Sequence, residues 1–291
     1  MENLIDRITK QKIETITDAI NISRPFIDNY VFFRGHSECF GNLRPKLFRN
    51  TDTLHYANGG LITDNVQKLL WIHSQERNYL EDFERIAPAY YPNLPNNENQ
   101  ILWLLLAQHY GLPTRLLDWT ENILVALYFA SLQEEEDGEL WSLQPNALNF
   151  KSGISDGILS INCFQVKNLA NAAINSNPYS ETNYQKPGLN CNPVAFLPPA
   201  VNPRIISQSS AFTIHPLSDI ESNGIINLLD TKDDMAHQSL CRYKVPKECK
   251  NEIRENLRAI GITERFLFQD LDSLSRNINK MYGIRKPGEP E

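Results

Sequence analysis

The stretch from Gln108 to Ala130 constrains the fold more than any other part of this sequence. Gly111 and Pro113 end an apolar helix, because glycine accepts a positive φ and proline lacks an amide donor. A short apolar strand follows, and then a second helix that is apolar on nearly every side, which is typical of a buried helix. Asp118 or Thr120 is expected to be the N-cap of this second helix.

Two ionisable side chains, Arg115 and Asp118, lie within this apolar stretch. An unpaired buried charge is costly, so each side chain must be paired or hydrogen-bonded if it is buried. In one interpretation the two residues form a structural ion pair. In the other, the segment lines a pocket, and Asp118, Trp119 or Thr120 faces a ligand. Both interpretations remain open at this point.

Composition limits the class of protein. The chain has 291 residues, of which 41% are hydrophobic and 22% charged, as in ordinary globular proteins. A net charge of −7 disfavours duplex nucleic acid as a partner of the whole surface. The five cysteines are scattered without a C-x-x-C pair, which favours a reducing compartment over a disulfide framework or zinc ribbon. Without a signal peptide or a membrane-spanning apolar run, the protein is expected to be cytoplasmic and to make no membrane contact.

Local patterns predict the organisation of the chain. An N-terminal helix is expected within residues 1–24, a main domain over 25–283 and a disordered tail over 284–291. Residues 145–192 are rich in Asn, Ser and Pro and are expected to form an irregular insertion with one short helix, a candidate lid. Strands are predicted, among other places, as a pair over 204–215 and as a last strand over 263–268.

The dipeptide Arg34–Gly35 directly follows a predicted aromatic strand, Tyr30 to Phe33. A buried strand fixes the position of the arginine, and the glycine allows a ligand or another backbone to approach closely. A structural ion pair is the alternative role for Arg34. A basic window over residues 42–50 follows, which either meets phosphate groups or is a solvated loop.

The common sequence motifs of catalysis are absent. The chain has no glycine-rich phosphate loop, no G-x-S-x-G and no H-E-x-x-H. His36, His109 and His215 lack the spacing of metal ligands, so no metal site is expected.

Several motifs together resemble the FRG domain family of bacterial and phage proteins. They are Phe33-Arg34-Gly35, the run from Gln108 to Thr120 with the following V-A-L-Y-F-A, the run from Gln208 to His215, and the run from Leu267 to Leu274. The resemblance extends over residues 25–283. It departs at two positions, with Ser210 where the family usually has glycine and Gln269 where it usually has proline.

A more distant resemblance is to ADP-ribosyltransferases of the Arg-Ser-Glu type. It implies an α+β fold with a split, mostly antiparallel sheet and inserted helices, and it implies NAD as substrate. Arg34 and Gly35 would hold the NAD phosphates, with His109, Trp119 and Thr120 as further cofactor contacts. It also implies a bacterial toxin or anti-phage effector, with an unidentified macromolecular target and an antitoxin or phage protein as partner.

The catalytic glutamate of those transferases has no counterpart at its expected place near Arg204 to Gln208. Gln208 is the nearest candidate and can hold a ribose hydroxyl, but it carries no charge to stabilise the departure of nicotinamide. Asp118, Glu264 or another acid would have to supply the charge, and the predicted catalytic residues are Gln208 and Asp118. Two alternatives stay open, namely a non-catalytic module that senses a nucleotide or phage component, and a nuclease that uses a histidine with Asp118.

Overall fold

The computed structural model describes residues 11–27, 29–49, 54–55, 59–154, 157–174, 192–220, 224–229 and 239–283. The predicted tail over 284–291 lies outside these residues. The strands are β1 (Phe32–His36), β2 (Leu116–Thr120), β3 (Gly138–Leu143), β4 (Leu159–Ser160), β5 (Val194–Leu197), β6 (Ser210–Ile214) and β7 (Leu240–Val245). The helices are α1 (Ile16–Ser23), α2 (Asn65–Ile86), α3 (Gln100–His109), α4 (Ile123–Ala130), α5 (Pro145–Lys151), α6 (Phe164–Ala172), α7 (Pro203–Ser207), α8 (Gly224–Leu229), α9 (Lys250–Ala259), α10 (Glu264–Leu267) and α11 (Leu271–Met281).

The strands form one open sheet in the order β4-β5-β6-β2-β1-β3-β7. Every neighbouring pair is antiparallel except β4 and β5. The expected α+β class with a mostly antiparallel sheet is therefore confirmed. The sheet is continuous rather than split, although β1 pairs with β3 along its whole length but with β2 only at Phe33 and Thr120. Beyond this pair the two strands diverge.

Helices cover both faces of the sheet. On one face, the buried side chains of α1, α4 and α9 pack on β1, β3 and β7. On the same face, α2, α3 and α6 pack on β2, β5 and β6. The opposite face is covered by α5 and α8, which pack around Phe32, Trp119 and Trp141. The divergence of β1 from β2 therefore lies between two groups of helices.

Capping residues explain several differences from the predicted elements. Residues 204–206 form helix α7 rather than a strand, because Asn202 accepts from the Ile205 amide at 3.0 Å and Pro203 occupies the first turn. The predicted last strand is helix α10, whose N-cap is Thr263. Asn122 rather than Asp118 or Thr120 caps α4, because β2 continues as far as Thr120.

The region predicted as an irregular insertion is more regular than expected in its described part. It contains α5, β4 and α6, whereas the sequence indicated one short helix. Residues 155–156 and 175–191 lie outside the described part, so the lid stays a prediction. Of the N-terminal region expected over 1–24, residues 1–10 lie outside the described part; helix α1 at residues 16–23 begins with a capping box formed by Thr15 and Asp18.

Candidate functional site

A cavity of about 240 Å³ opens where β1 and β2 diverge. It lies on the face of the sheet that carries α3 and α4, and α7 closes another of its sides. The seven residues that the sequence analysis selected all line it, namely Arg34, Gly35, His109, Asp118, Trp119, Thr120 and Gln208. Four segments that are distant in sequence thus meet at one place. What each residue does there stays a prediction.

Arg34 bridges the gap between the diverging strands. Its Nη1 donates to the Asp118 main-chain oxygen at 2.5 Å and lies 3.9 Å from Asp118 Oδ2. Its Nε donates to His36 Nε2 at 2.8 Å. Because side chains alternate along a strand, Arg34 starts on the face opposite to Phe33, yet both residues line the cavity. Its Nη2 has no partner among the residues that the structure describes.

Burial changes the ionisation of this pair. Desolvation, partly offset by the Asp118 charge, lowers the pKa of Arg34 to about 10, so the guanidinium is still charged at neutral pH. Desolvation and the neighbouring Arg34 charge lower the pKa of His36 to about 4. His36 is therefore neutral, which allows its Nε2 to accept the Arg34 hydrogen bond.

Asp118 is not the partner of Arg115, contrary to the ion pair that the sequence suggested. The Arg115 side chain is fully buried and pairs with the equally buried Glu76 of α2, with Nε 3.0 Å from Glu76 Oε1. Asp118 points the other way, and its side chain is 56% exposed. Its Oδ2 accepts from Gln108 Nε2 at 2.9 Å, which holds the carboxylate at the cavity.

Gly35 has a structural reason to be glycine. A Cβ added at this position would lie 1.8 Å from the main-chain oxygen of Ala126 and 2.7 Å from the amide of Ala130. The missing side chain therefore makes room for α4, which supplies Val125 and Phe129 to the cavity wall. Close approach of a backbone was one of the two roles expected here, and the approaching backbone is that of a helix.

Trp119 and Thr120 border the cavity with polar atoms that already have partners. The Trp119 side chain belongs to the core of the opposite face, and its indole N–H donates to Thr213 Oγ1 at 3.1 Å. The Thr120 hydroxyl donates to the main-chain oxygen of Gln208 at 2.6 Å and accepts from the Asn122 amide. Thr120 thus holds the segment that carries Gln208. Trp119 anchors β2 to the core on the opposite face of the sheet.

Gln208 is the C-cap residue of α7 and lines the cavity. Its Nε2 donates to the Leu267 main-chain oxygen at 3.1 Å, which leaves Oε1 as an acceptor without a partner among the described residues. The following Ser209 has φ +45°, an uncommon value for a residue other than glycine. Ser210, which departs from the usual FRG motif, is simply the first residue of β6 and pairs with Thr120.

Arg204 is a cavity residue that the sequence reading did not identify. Its guanidinium lies 4.7 Å above the centre of the Phe268 ring, and the side chain lines the cavity. The segment was read as a strand, in which Arg204 had no assigned role. The Asn-Pro pair before it was the available signal, since it predicts a helix start.

The histidines considered for a nuclease do not converge. His109 lines the cavity, and burial together with the Arg204 charge lowers its pKa. His36 binds Glu139 instead, and the buried His215 binds Thr213 and Asp219. Within the described ranges, no group of three or more His, Cys, Asp or Glu is arranged to hold a metal ion. Arg49 from the basic window stands close enough for its charge to lower the Arg34 pKa.

No helix in the described part of the chain is long and apolar enough to cross a membrane. No curated protein and no solved structure matches the chain. The model of the FRG domain matches residues 29–139, a range that contains β1, α2, α3, β2 and α4. Arg34, Gly35, His109, Asp118, Trp119 and Thr120 fall within the matched range, whereas Gln208 and Arg204 lie beyond it. Over these residues the chain is similar to the FRG domain family.

Proposed function

We propose that the cavity binds the diphosphate of NAD or a related nucleotide and that the chain is an ADP-ribosyltransferase-like enzyme. The observation that carries this proposal is the position of Arg34. Its guanidinium is charged and is held by two acceptors, the side chain lines the cavity, and Nη2 has no partner among the described residues. Arginine N–H groups in a fixed orientation are well suited to phosphate oxygens.

The charge balance of the cavity supports an anionic ligand. Two guanidinium groups line it, those of Arg34 and Arg204, against Asp118 as the one carboxylate among the described lining residues. The lining therefore carries a net positive charge, and each guanidinium group can meet one of the two negative charges of a diphosphate. Arg204 is held on the Phe268 ring, so it loses little side-chain freedom on binding.

The remaining cavity residues suit cleavage of the bond between ribose C1′ and the nicotinamide nitrogen. Asp118 would stabilise the positive charge that develops on the ribose as the nicotinamide leaves with the bonding electrons. Gln208 Oε1 would accept from a ribose hydroxyl. A nucleophile on the target would then form the new bond to C1′ and release its proton to solvent. A role as a toxin or anti-phage effector, with an antitoxin or phage protein as partner, belongs to the same proposal.

One observation favours a second candidate, a nucleotide-binding module without turnover. The carboxylate of Asp118 is already engaged by Gln108 at 2.9 Å and lies 3.9 Å from Arg34 Nη1. Gln208, the nearest candidate for the place of the transferase glutamate, is neutral. In this candidate Asp118 orients Arg34 and Gln208 contacts the ligand, and saturable binding occurs without chemistry.

The test is incubation of the protein with NAD labelled in its ADP-ribose part, together with total cell protein and nucleic acid. The variants are Arg34→Ala and Asp118→Asn, and the matched control is Arg258→Gln on the exposed side of α9. We expect label transfer by the wild type and the control only. Saturable NAD binding by calorimetry without transfer or hydrolysis would favour the binding module. If the folded protein does not bind NAD at all, NAD is not its ligand.

A further inference from the structure

A chain of hydrogen bonds crosses three neighbouring strands and ends at Arg34. His36 follows Arg34 by two positions and therefore lies on the same face of β1. The sheet register places Glu139 of β3 directly opposite His36. Arg242 of β7 reaches the same carboxylate from the next strand. These residues were not among the site residues expected from the sequence, apart from His36 as a nuclease candidate.

The distances in this chain are those of well-formed hydrogen bonds. Arg34 Nε lies 2.8 Å from His36 Nε2, His36 Nδ1 lies 2.8 Å from Glu139 Oε1, and Arg242 Nε lies 2.6 Å from Glu139 Oε2. The Glu139 side chain is fully buried. The Gly41 amide also approaches both of its carboxylate oxygens, each at 3.3 Å.

The donors and acceptors fix the direction of the chain. A guanidinium can only donate, so His36 Nε2 must accept from Arg34. The proton of the neutral ring is then on Nδ1, which donates to Glu139. The carboxylate accepts from both His36 and Arg242, so it holds the histidine in one tautomer and one ring orientation. Arg242 alone would already compensate the charge of the buried Glu139 carboxylate. The hydrogen bond from His36 is therefore not needed for charge compensation.

We propose that His36 and Glu139 are positioning residues that fix the guanidinium of Arg34 so that its Nη2 faces the cavity. The hydrogen bonds to His36 and to the Asp118 main-chain oxygen hold two of the three guanidinium nitrogens, Nε and Nη1, so together they restrict the rotation of the group. This inference extends the proposed function, because it assigns the anion-binding geometry of that site to residues outside the cavity lining.

The experiment compares His36→Leu with His36→Gln. The glutamine keeps both hydrogen bonds, since its Oε1 accepts and its amide nitrogen donates, whereas leucine removes both. The first readout is the ¹⁵N-edited NMR signal of the arginine Nε–H groups in the ligand-free protein, with the Arg34 signal assigned through Arg34→Lys. We expect slow solvent exchange of this proton in the wild type and in His36→Gln, and fast exchange in His36→Leu.

The second readout is the affinity for inorganic pyrophosphate, measured by calorimetry. Loss of pre-organisation of one long side chain predicts an affinity up to about tenfold weaker for His36→Leu, with His36→Gln close to wild type. If His36→Leu does not fold, as judged by its thermal transition, Glu139→Gln takes its place in both measurements. Equal exchange of the Arg34 proton in the leucine and glutamine variants would overturn the proposal. Absence of pyrophosphate binding by the wild type would instead count against the proposed function, and the NMR readout would still test the positioning.

Discussion

Replacement of Gly35 by alanine tests whether this residue serves the ligand or the fold. The added Cβ would lie 1.8 Å from the Ala126 main-chain oxygen, so α4 must move by about 1.6 Å to restore an ordinary contact of 3.4 Å. The obstacle is the backbone of a buried helix, which cannot move aside as a flexible side chain can. Overpacking in a well-packed core typically lowers the free energy of unfolding by about 1–3 kcal/mol, and we expect the loss for Gly35→Ala to be at least as large as the upper value.

The assay is urea unfolding together with a thermal melt. We expect Gly35→Ala to lower the free energy of unfolding by about 3 kcal/mol or more. At about 2–4 °C per kcal/mol for large domains, the melting temperature should fall by at least about 6 °C. Ligand affinity should fall in parallel, because α4 carries Val125 and Phe129 into the cavity wall.

Gly261→Ala is the matched control. Gly261 has φ +90°, and an added Cβ would meet no atom within 4 Å, so its substitution costs only backbone strain of about 1–2 kcal/mol. Gly35→Ala must therefore be the more destabilising of the two. A Gly35→Ala protein with wild-type stability and weakened ligand binding would refute the packing argument and make Gly35 a ligand contact.

Three further predictions rest on individual side chains. Glu76→Gln removes the negative charge from the buried ion pair with Arg115 and should lower the free energy of unfolding by about 3–5 kcal/mol. Glu81→Gln in an exposed helical pair should change it by less than about 0.5 kcal/mol; similar values from urea unfolding would contradict this. Asp118→Asn should stop label transfer yet alter stability by less than about 1 kcal/mol, because the side chain is 56% exposed; a large drop in melting temperature would show a structural role. Burial lowers the His36 pKa from 6.5 to about 4, so the unfolded chain binds a proton in this window that the folded chain does not. Stability should therefore fall by up to about 3 kcal/mol as the pH drops from 6.5 to 4, and His36→Gln should lose this part of the pH dependence in urea titrations; an unchanged profile would place the His36 pKa near its ordinary value.

The sequence predicted the central elements well where local signals were strong. The breaker pair Gly111 and Pro113 marks the end of α3, and the nearly uniform apolar run from Ile123 marks a buried helix. Both signals act within a few residues, so no tertiary information is needed to read them. The two elements predicted wrongly, α7 and α10, are short helices of five and four residues. Their short apolar runs have the same sequence pattern as a buried strand.

The partners of buried charges could not be predicted in the same way. Arg115 pairs with Glu76, a residue 39 positions earlier, whereas Asp118 was the nearest acid in the sequence. Charge pairing depends on which faces of distant elements meet. Asp118 lies on the side of β2 that lines the cavity, away from Arg115. The same limit applies to Glu139, whose role depends on the register of β1 against β3.

The strand order has a consequence for any attempt to produce the FRG segment alone. Residues 29–139 contain β1 and β2 and reach the start of β3, which are the middle strands of the sheet. β2 pairs with β6 along its whole length, and β3 pairs with β7 in the same way. A shortened chain that ends near residue 143 would therefore expose two long apolar edges at once, and such edges recruit other chains. The later half of the protein thus covers these strand edges and also contributes Arg204 and Gln208 to the cavity.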